Sequence, residues 1–460
     1  MPQQSPAPAD ASAAPDAQQP EARQPGVLSP AHLATTLGTV AVIVLVAFET
    51  MAVITVMPAV SDALDGRQLY ALGFAAPLAS GVIGMVLAGM WSDRAGPGKP
   101  LIAALVVFGA GLLVAGLAPT MEVFVAGRFL QGMGGGASMV VLYVLVGILY
   151  PARLQASLFA AYAAAWVLPS FFGPLLAAWA SDTFGWRWVF IGTVALVVPV
   201  TVALAPRALA VPRSEGAPMH DSLRPVGWAL LAAVAVLGVR LVNQAVVSLA
   251  CAAVVLFALS RLLPTGALLL RRGLPAVIST RGLVAGAFFT AQAYVVLLLE
   301  EQWGVSATTA GFVLAAVGVV WWLGSTAQAR NPELAHAGAM AGGTAALAVA
   351  LVALTAVIAL DANQWLAAVV FVVAAGGMGF CYPRTTVAML ALSSDADRGS
   401  NSAAINAADS MGAALSIAVA GLVMAVAEAA DANPFVPLYA FTAVLAVLSL
   451  VAARRTAVPA

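Results

Sequence analysis

Apolar runs long enough to cross a bilayer follow one another along almost the whole chain, parted by short polar breaks, and nothing else in the sequence constrains the fold as much. A hydrocarbon core about 30 Å thick is crossed by about 20 helical residues. Backbone groups in hydrocarbon must bond to one another, so each run is predicted to be a helix. The runs lie at 33–58, 69–91, 100–118, 120–149, 155–180, 188–206, 226–242, 245–263, 282–299, 307–326, 337–360, 365–390, 402–427 and 435–453, fourteen in all. Without the closely connected pair 226–242 and 245–263 the number is twelve. Either number is even and puts both termini on one side. With 62% hydrophobic and 9% charged residues, the chain cannot be a soluble enzyme or a disordered protein, since soluble domains carry about 25% charged residues. A formal net charge of zero gives a nucleic-acid partner no electrostatic support.

Basic residues orient the runs, because cytoplasmic loops collect arginine and lysine. With the N terminus inside, fifteen basic residues fall in inner segments, Arg281 among them, against Arg67, Arg187 and Arg240 outside. Arg128 and Arg384 remain within helices. Residues 1–30, rich in Pro, Ala and Gln, are expected to be a disordered cytoplasmic tail rather than a signal peptide. The expected order is then a six-helix bundle at 31–206, a cytoplasmic linker at 207–224, an inserted helix pair at 225–264, a second linker at 265–281, and a second six-helix bundle at 282–455. Two bundles facing each other suggest a central pathway with alternating access.

Several other chemistries are absent from the sequence. Cys251 and Cys381 each sit in an apolar run, which excludes a disulfide scaffold and a Cys-rich metal site. The three histidines are scattered, with no metal-ligand cluster. No phosphate-cradling Gly-x-x-x-x-Gly-Lys-Ser/Thr loop occurs, which argues against ATP-driven transport. No cofactor is expected beyond the proton as coupling ion. Alanine-rich composition with a single lysine, Lys99, suggests a bacterial source and hence the inner (plasma) membrane.

Four segments carry a family resemblance. Gly89-Met-Trp-Ser-Asp93-Arg94-Ala-Gly96 after the second run resembles the Gly-x-x-x-Asp-Arg-x-Gly loop of the major facilitator superfamily, with Pro97 and Gly98 where the family has basic residues. Arg128, Gln131, Gly132 and Gly134 resemble its helix-4 pattern. Gly173-Pro174 resembles the core of the proton-antiporter signature in helix 5, with Pro169 in place of the upstream glycine. Glu49-Thr50 followed by Pro58 resembles the helix-1 pattern of the drug:proton antiporters, with Glu where Asp is usual. Fourteen spans with two inserted between the halves resemble the larger of those branches. The resemblance implies an all-α major facilitator fold, not an enzyme. It implies a secondary transporter exporting hydrophobic or cationic small molecules, such as drugs or natural products, in exchange for protons, and acting as a monomer. Import or uniport of a small metabolite on the same fold, and a non-transporting membrane sensor, are the alternatives.

Ionisable groups inside a membrane are functional candidates. Glu49 and Arg128 reach similar depths from the outside and are expected to meet. They read as a proton site, as a static ion pair, or, for Glu49, as a direct contact for a cation. Asp409 and Arg384 are expected to face each other on the inner half, as a second relay or a fixed pair. Glu300 and Glu301 end the ninth run as a hydrated helix end or an acidic vestibule. Conformational switching is assigned to Gly89, Asp93, Arg94 and Gly96, and to a helix-5 kink at Pro169, Gly173 and Pro174. Candidate substrate contacts are Phe48, Gln131, Trp166, Phe172, Gln292, Tyr294, Trp321 and Asn406. Adjacent Trp321 and Trp322 cannot share one helix face.

Overall fold

A computed structural model describes residues 26–30, 32–151, 154, 158, 161–162, 164–211, 224–241, 245–331, 334–393 and 398–456. Fourteen long helices occur among them: α1 (Leu33–Ala63), α2 (Tyr70–Ala95), α3 (Gly98–Gly116), α4 (Met121–Leu149), α5 (Val167–Phe184), α6 (Arg187–Leu209), α7 (Arg224–Leu241), α8 (Ala245–Leu262), α9 (Leu274–Trp303), α10 (Ala307–Ala329), α11 (His336–Ala359), α12 (Gln364–Ala391), α13 (Arg398–Ala429) and α14 (Phe435–Arg454). Eleven are long and apolar enough to cross a membrane. The other three, α5, α7 and α8, have 18 residues each, about 27 Å at 1.5 Å per residue. Below, "inner" means the arginine-rich ends and "outer" the opposite ones.

Local chemistry sets the outer helix starts. Thr120 caps α4 by accepting from the Val123 N–H at 3.5 Å, Ser306 caps α10 through the Thr309 N–H at 3.3 Å, and Asn363 caps α12 through the Trp365 N–H at 2.8 Å. Each side chain satisfies a backbone donor that the first helical turn leaves open. α9 ends at Gly304, whose φ of +64° suits a residue without Cβ.

α1–α6 and α9–α14 pack as two bundles, and glycine brings their helices close. In α4, a Cβ on Gly132 would lie 2.2 Å from the Pro77 backbone of α2, and one on Gly134 would lie 2.3 Å from the Phe108 backbone of α3. In α12, a Cβ on Gly377 would lie 2.7 Å from the Gly343 carbonyl of α11, and one on Gly379 would lie 2.1 Å from the Trp321 carbonyl of α10. Gly132-Met133-Gly134 in the first bundle thus has a counterpart, Gly377-Met378-Gly379, in the second. Each seats a central helix between two neighbours, as small residues do in membranes.

The inserted helices α7 and α8 lie against each other, with Trp228 edge-on to Phe257 at 5.7 Å and Ser248 donating to the Val239 carbonyl at 2.8 Å. α7 packs on α2 of the first bundle and α13 of the second, so the pair lies along the seam between the bundles.

Three of the boundary shifts from the expectation bear on the site. α1 runs on to Ala63, past Pro58, which is buried inside it. A turn at 165–166 interrupts the fifth run, and α5 starts at Val167. Pro169 therefore sits in a first turn, where its missing N–H removes no helix bond, and only Pro174 lies in the helix interior. Most consequentially, α9 starts at Leu274, with Pro275 at its first turn. Arg281, expected in a cytoplasmic linker, is inside this helix and only 8% exposed. Hydropathy misreads Ser279-Thr280-Arg281 as a loop because it cannot register that the Ser279 and Thr280 hydroxyls bond back to the Pro275 and Ala276 carbonyls at 2.7 Å.

Candidate functional site

Among the described residues, two ionic clusters lie within the bundles, one in each. In the first, Arg128 of α4 donates to the Glu49 carboxylate of α1, to the Gln131 side-chain oxygen, and through Nε to the Gly73 carbonyl of α2 at 2.9 Å. All three side chains are buried. The expected Glu49–Arg128 encounter is present, and Gln131, named as a substrate contact, is a third member of the cluster. Further hydrogen bonds offset the cost of burying an ion pair, and the Gly73 carbonyl and Gln131 supply two of them to Arg128 here.

The second cluster corrects an expectation. Asp409 of α13 pairs with Arg281 of α9, not with Arg384: Arg281 Nε donates to Asp409 Oδ1 at 2.7 Å. Arg281 Nη1 donates to the Tyr382 carbonyl at 3.2 Å, Thr385 Oγ1 at 3.0 Å and Thr386 Oγ1 at 3.2 Å. The Tyr382 hydroxyl donates to Asp409 Oδ2 at 2.9 Å, and the Arg281 guanidinium lies 3.2 Å from the Tyr382 ring centroid. Arg384 instead donates to three backbone carbonyls, Gln328 at 2.7 Å, Asn331 at 2.6 Å and Leu334 at 3.3 Å. It pins the connection between α10 and α11, where free carbonyls at a helix end attract a cation. Gly273-Leu274-Pro275, a helix-start signal seven residues before Arg281, could have located this arginine in the sequence.

Aromatic rings border the second cluster. Trp321 of α10 lies 5.4 Å from Phe288, 6.2 Å from Phe289 and 5.5 Å from Tyr382, and Phe288 stacks on Phe371 at 5.7 Å. Phe288 and Phe371 are fully buried, whereas Phe289, Trp321 and Tyr382 keep part of their surface. Trp322 is exposed on the other face of α10.

The bundles are clamped at the outer end. Arg67, just before α2, donates to both Glu301 of α9 and Glu428 of α13. Tyr70 donates to the Ala293 carbonyl at 3.1 Å, and Thr308 of α10 to Asp182 of α5 at 2.8 Å. Glu301, expected at a hydrated helix end or an acidic vestibule, thus pairs across the bundles here. Tyr294 belongs to this closure as well, buried with its ring 5.3 Å from that of Tyr70.

The remaining candidates fall as follows. Phe48 is half-buried beside Gly173, whose Cβ would lie 3.2 Å from Met51, so glycine lets α5 approach α1. Trp166 is half-buried at the start of α5, Gln292 is buried on α9, and Phe172 is exposed and edge-on to Phe171. Asn406 is exposed and donates to the Ser402 carbonyl of its own helix. In the loop after α2, Gly96 has φ +77°, which glycine accommodates without strain. Gly89 does not mediate a close approach, since a Cβ there would meet only Val140 at an ordinary 3.8 Å. Arg94 is exposed, and the Asp93 side chain lies outside the described residues.

These features define a helical transporter of two bundles. The chain matches the family model of the Major Facilitator Superfamily over residues 39–331 and belongs to that family. It is similar to a probable multidrug-efflux transporter of Mycobacterium tuberculosis, at 26% identity over 92% of this chain and 94% of the relative. It is also similar to multidrug resistance protein 3 of Bacillus subtilis, at 29% identity over 34% of this chain and 30% of that protein. Its fold is that of a D-xylose–proton symporter, with TM-score 0.66, 16% identity, and coverage of 90% of this chain and 96% of the other. A peptide-transporter-family (POT) protein in complex with 5-aminolevulinic acid shares the fold at TM-score 0.67 and 14% identity, covering 91% and 95% of the two chains. The protein is therefore a multi-pass membrane transporter and not an enzyme.

Proposed function

We propose that this chain exports hydrophobic small molecules from a bacterial cell in exchange for protons, as a monomer in the inner membrane and with no cofactor but the coupling proton. The supporting observation is the Glu49–Arg128–Gln131 cluster, a titratable carboxylate at the core of the first bundle whose only charged contact among the described residues is one arginine. Parting Arg128 from Glu49 raises the proton affinity of a desolvated carboxylate, and restoring the contact lowers it. Rocking of α1 against α4 would then load and release one proton per cycle. Similarity to efflux transporters supports the outward direction and the drug-like substrates. The cationic half of the substrate expectation loses support, because the carboxylates Glu49 and Asp409 inside the bundles are both already paired with arginine.

The test is reconstitution of the full chain into proteoliposomes with a pH gradient imposed. Hydrophobic dyes that accumulate less in cells expressing the gene serve as probes. Dye movement should follow the gradient and collapse in Glu49→Gln. Gradient-driven movement unchanged in that variant refutes the role of Glu49.

A further inference from the structure

We propose that Arg281 and the aromatic wall formed by Phe289, Trp321 and Tyr382 are a binding subsite for planar aromatic anions, such as aromatic carboxylates. The subsite rests on the export reading above and deepens it by naming a chemical class of exported molecule.

Charge is the first argument. Among the described residues, the carboxylates inside the bundles are the buried Glu49 and the part-exposed Asp409, beside three buried arginines, Arg128, Arg281 and Arg384. Both carboxylates are paired with arginine, so an organic cation meets no unpaired carboxylate there. Over the Tyr382 ring and against Asp409, the place where a cation would settle is taken by the Arg281 guanidinium itself.

Donor geometry is the second. Nε and Nη1 of Arg281 are engaged by Asp409, the Tyr382 carbonyl, Thr385 and Thr386, while Nη2 makes no hydrogen bond among the described residues. The side chain is 10% exposed. A half-satisfied, nine-tenths buried guanidinium is a strong anion donor, because few water molecules compete for it.

Shape is the third. Phe289 and Trp321 lie nearly parallel, 26° apart, and Tyr382 stands roughly perpendicular to both. Stacked and edge-on rings beside one charged donor select a flat ring bearing an anionic group.

Binding of 2-naphthoate, 2-naphthamide and 2-naphthyltrimethylammonium to the purified full chain in lipid nanodiscs tests this by calorimetry without any gradient. The three probes share one ring and carry charges of −1, 0 and +1. Naphthoate should bind about tenfold more tightly than the ammonium. Arg281→Gln combined with Asp409→Asn, which removes both charges and leaves no lone buried carboxylate, should weaken naphthoate about tenfold and leave naphthamide within about twofold. Trp321→Leu, which keeps both charges, should weaken naphthoate and naphthamide together. Retained naphthamide binding shows that the double variant is folded. Failure of naphthoate to bind, ammonium binding as tight as naphthoate, or an anion preference surviving the double variant overturns the subsite. Because the binding is gradient-free, its failure beside a positive proteoliposome result removes the subsite and leaves proton-coupled export standing.

Discussion

Arg128→Met should destabilise the protein more than replacing Glu49 and Arg128 together. Both side chains are about 5% exposed and Arg128 spans three partners on three helices. At a charge separation of about 4 Å and an effective dielectric near 20, their attraction is about 4 kcal/mol. Breaking such a pair from one side costs about 3–5 kcal/mol, because the surviving charge stays buried without its partner. Arg128→Met leaves Glu49 in that position and should lie in this range. Glu49→Gln is milder, about 1–2 kcal/mol, since the amide keeps an oxygen for Arg128 and the Gly73 carbonyl and Gln131 stay in place. The double variant buries no charge and should be more stable than Arg128→Met alone, with a coupling of about 2 kcal/mol or more. Reversible unfolding of the purified chain in mixed micelles, followed by tryptophan fluorescence, gives all four corners of the cycle. Additivity within about 0.5 kcal/mol would refute the reasoning, because the two charges would then not depend on each other.

Further perturbations probe packing and the gate. Gly132→Ala forces a Cβ into the Pro77 backbone at 2.2 Å and should cost about 1–3 kcal/mol in the same unfolding assay, whereas Gly192→Ala in α6, with open space around it, should be neutral or slightly stabilising. Arg67→Ala removes the outer clamp to Glu301 and Glu428; since these groups are part-exposed, about 1 kcal/mol is lost. That loss should raise the labelling rate of a cysteine placed at Ala293, beneath Tyr70, about fivefold. Arg384→Ala strips three carbonyls of their donor and should raise hydrogen exchange in the connection between α10 and α11, while gradient-driven dye movement still depends on Glu49.

The fold is legible in the sequence because in a membrane one rule governs both helix length and helix identity. Each long apolar run contains a long helix among the described residues, and the short pair 226–263, which a length argument can neither accept nor dismiss, holds two 18-residue helices whose place on α2 and α13 no hydropathy count reveals. The internal relation between the bundles is visible only faintly. Gly132-Met133-Gly134 and Gly377-Met378-Gly379 are its clearest trace, because close backbone packing tolerates no other residue there, while the lipid-facing positions around them accept any apolar side chain.

The ionic clusters are legible to the extent that helix boundaries are. Glu49 and Arg128 lie deep in unambiguous runs, so their depths can be compared and their meeting anticipated. Arg281 follows Ser279 and Thr280, three polar residues in a row near an inner end, and a hydropathy window reads such a stretch as loop. The physical content of that stretch is the reverse: both hydroxyls are satisfied by the preceding turn, and Nε and Nη1 of the guanidinium are engaged by three other side chains and a carbonyl. With Arg281 assigned to a loop, Arg384 is left as the nearest cation for Asp409, although its helix-end carbonyls already hold it. A polar residue near the end of an apolar run is therefore better weighed by the bonds a helix would offer it than by its transfer cost alone. Helix-start signals such as Gly273-Leu274-Pro275 carry that information in the order of the residues themselves, because a proline in the first turn gives up only an N–H that the helix leaves unpaired.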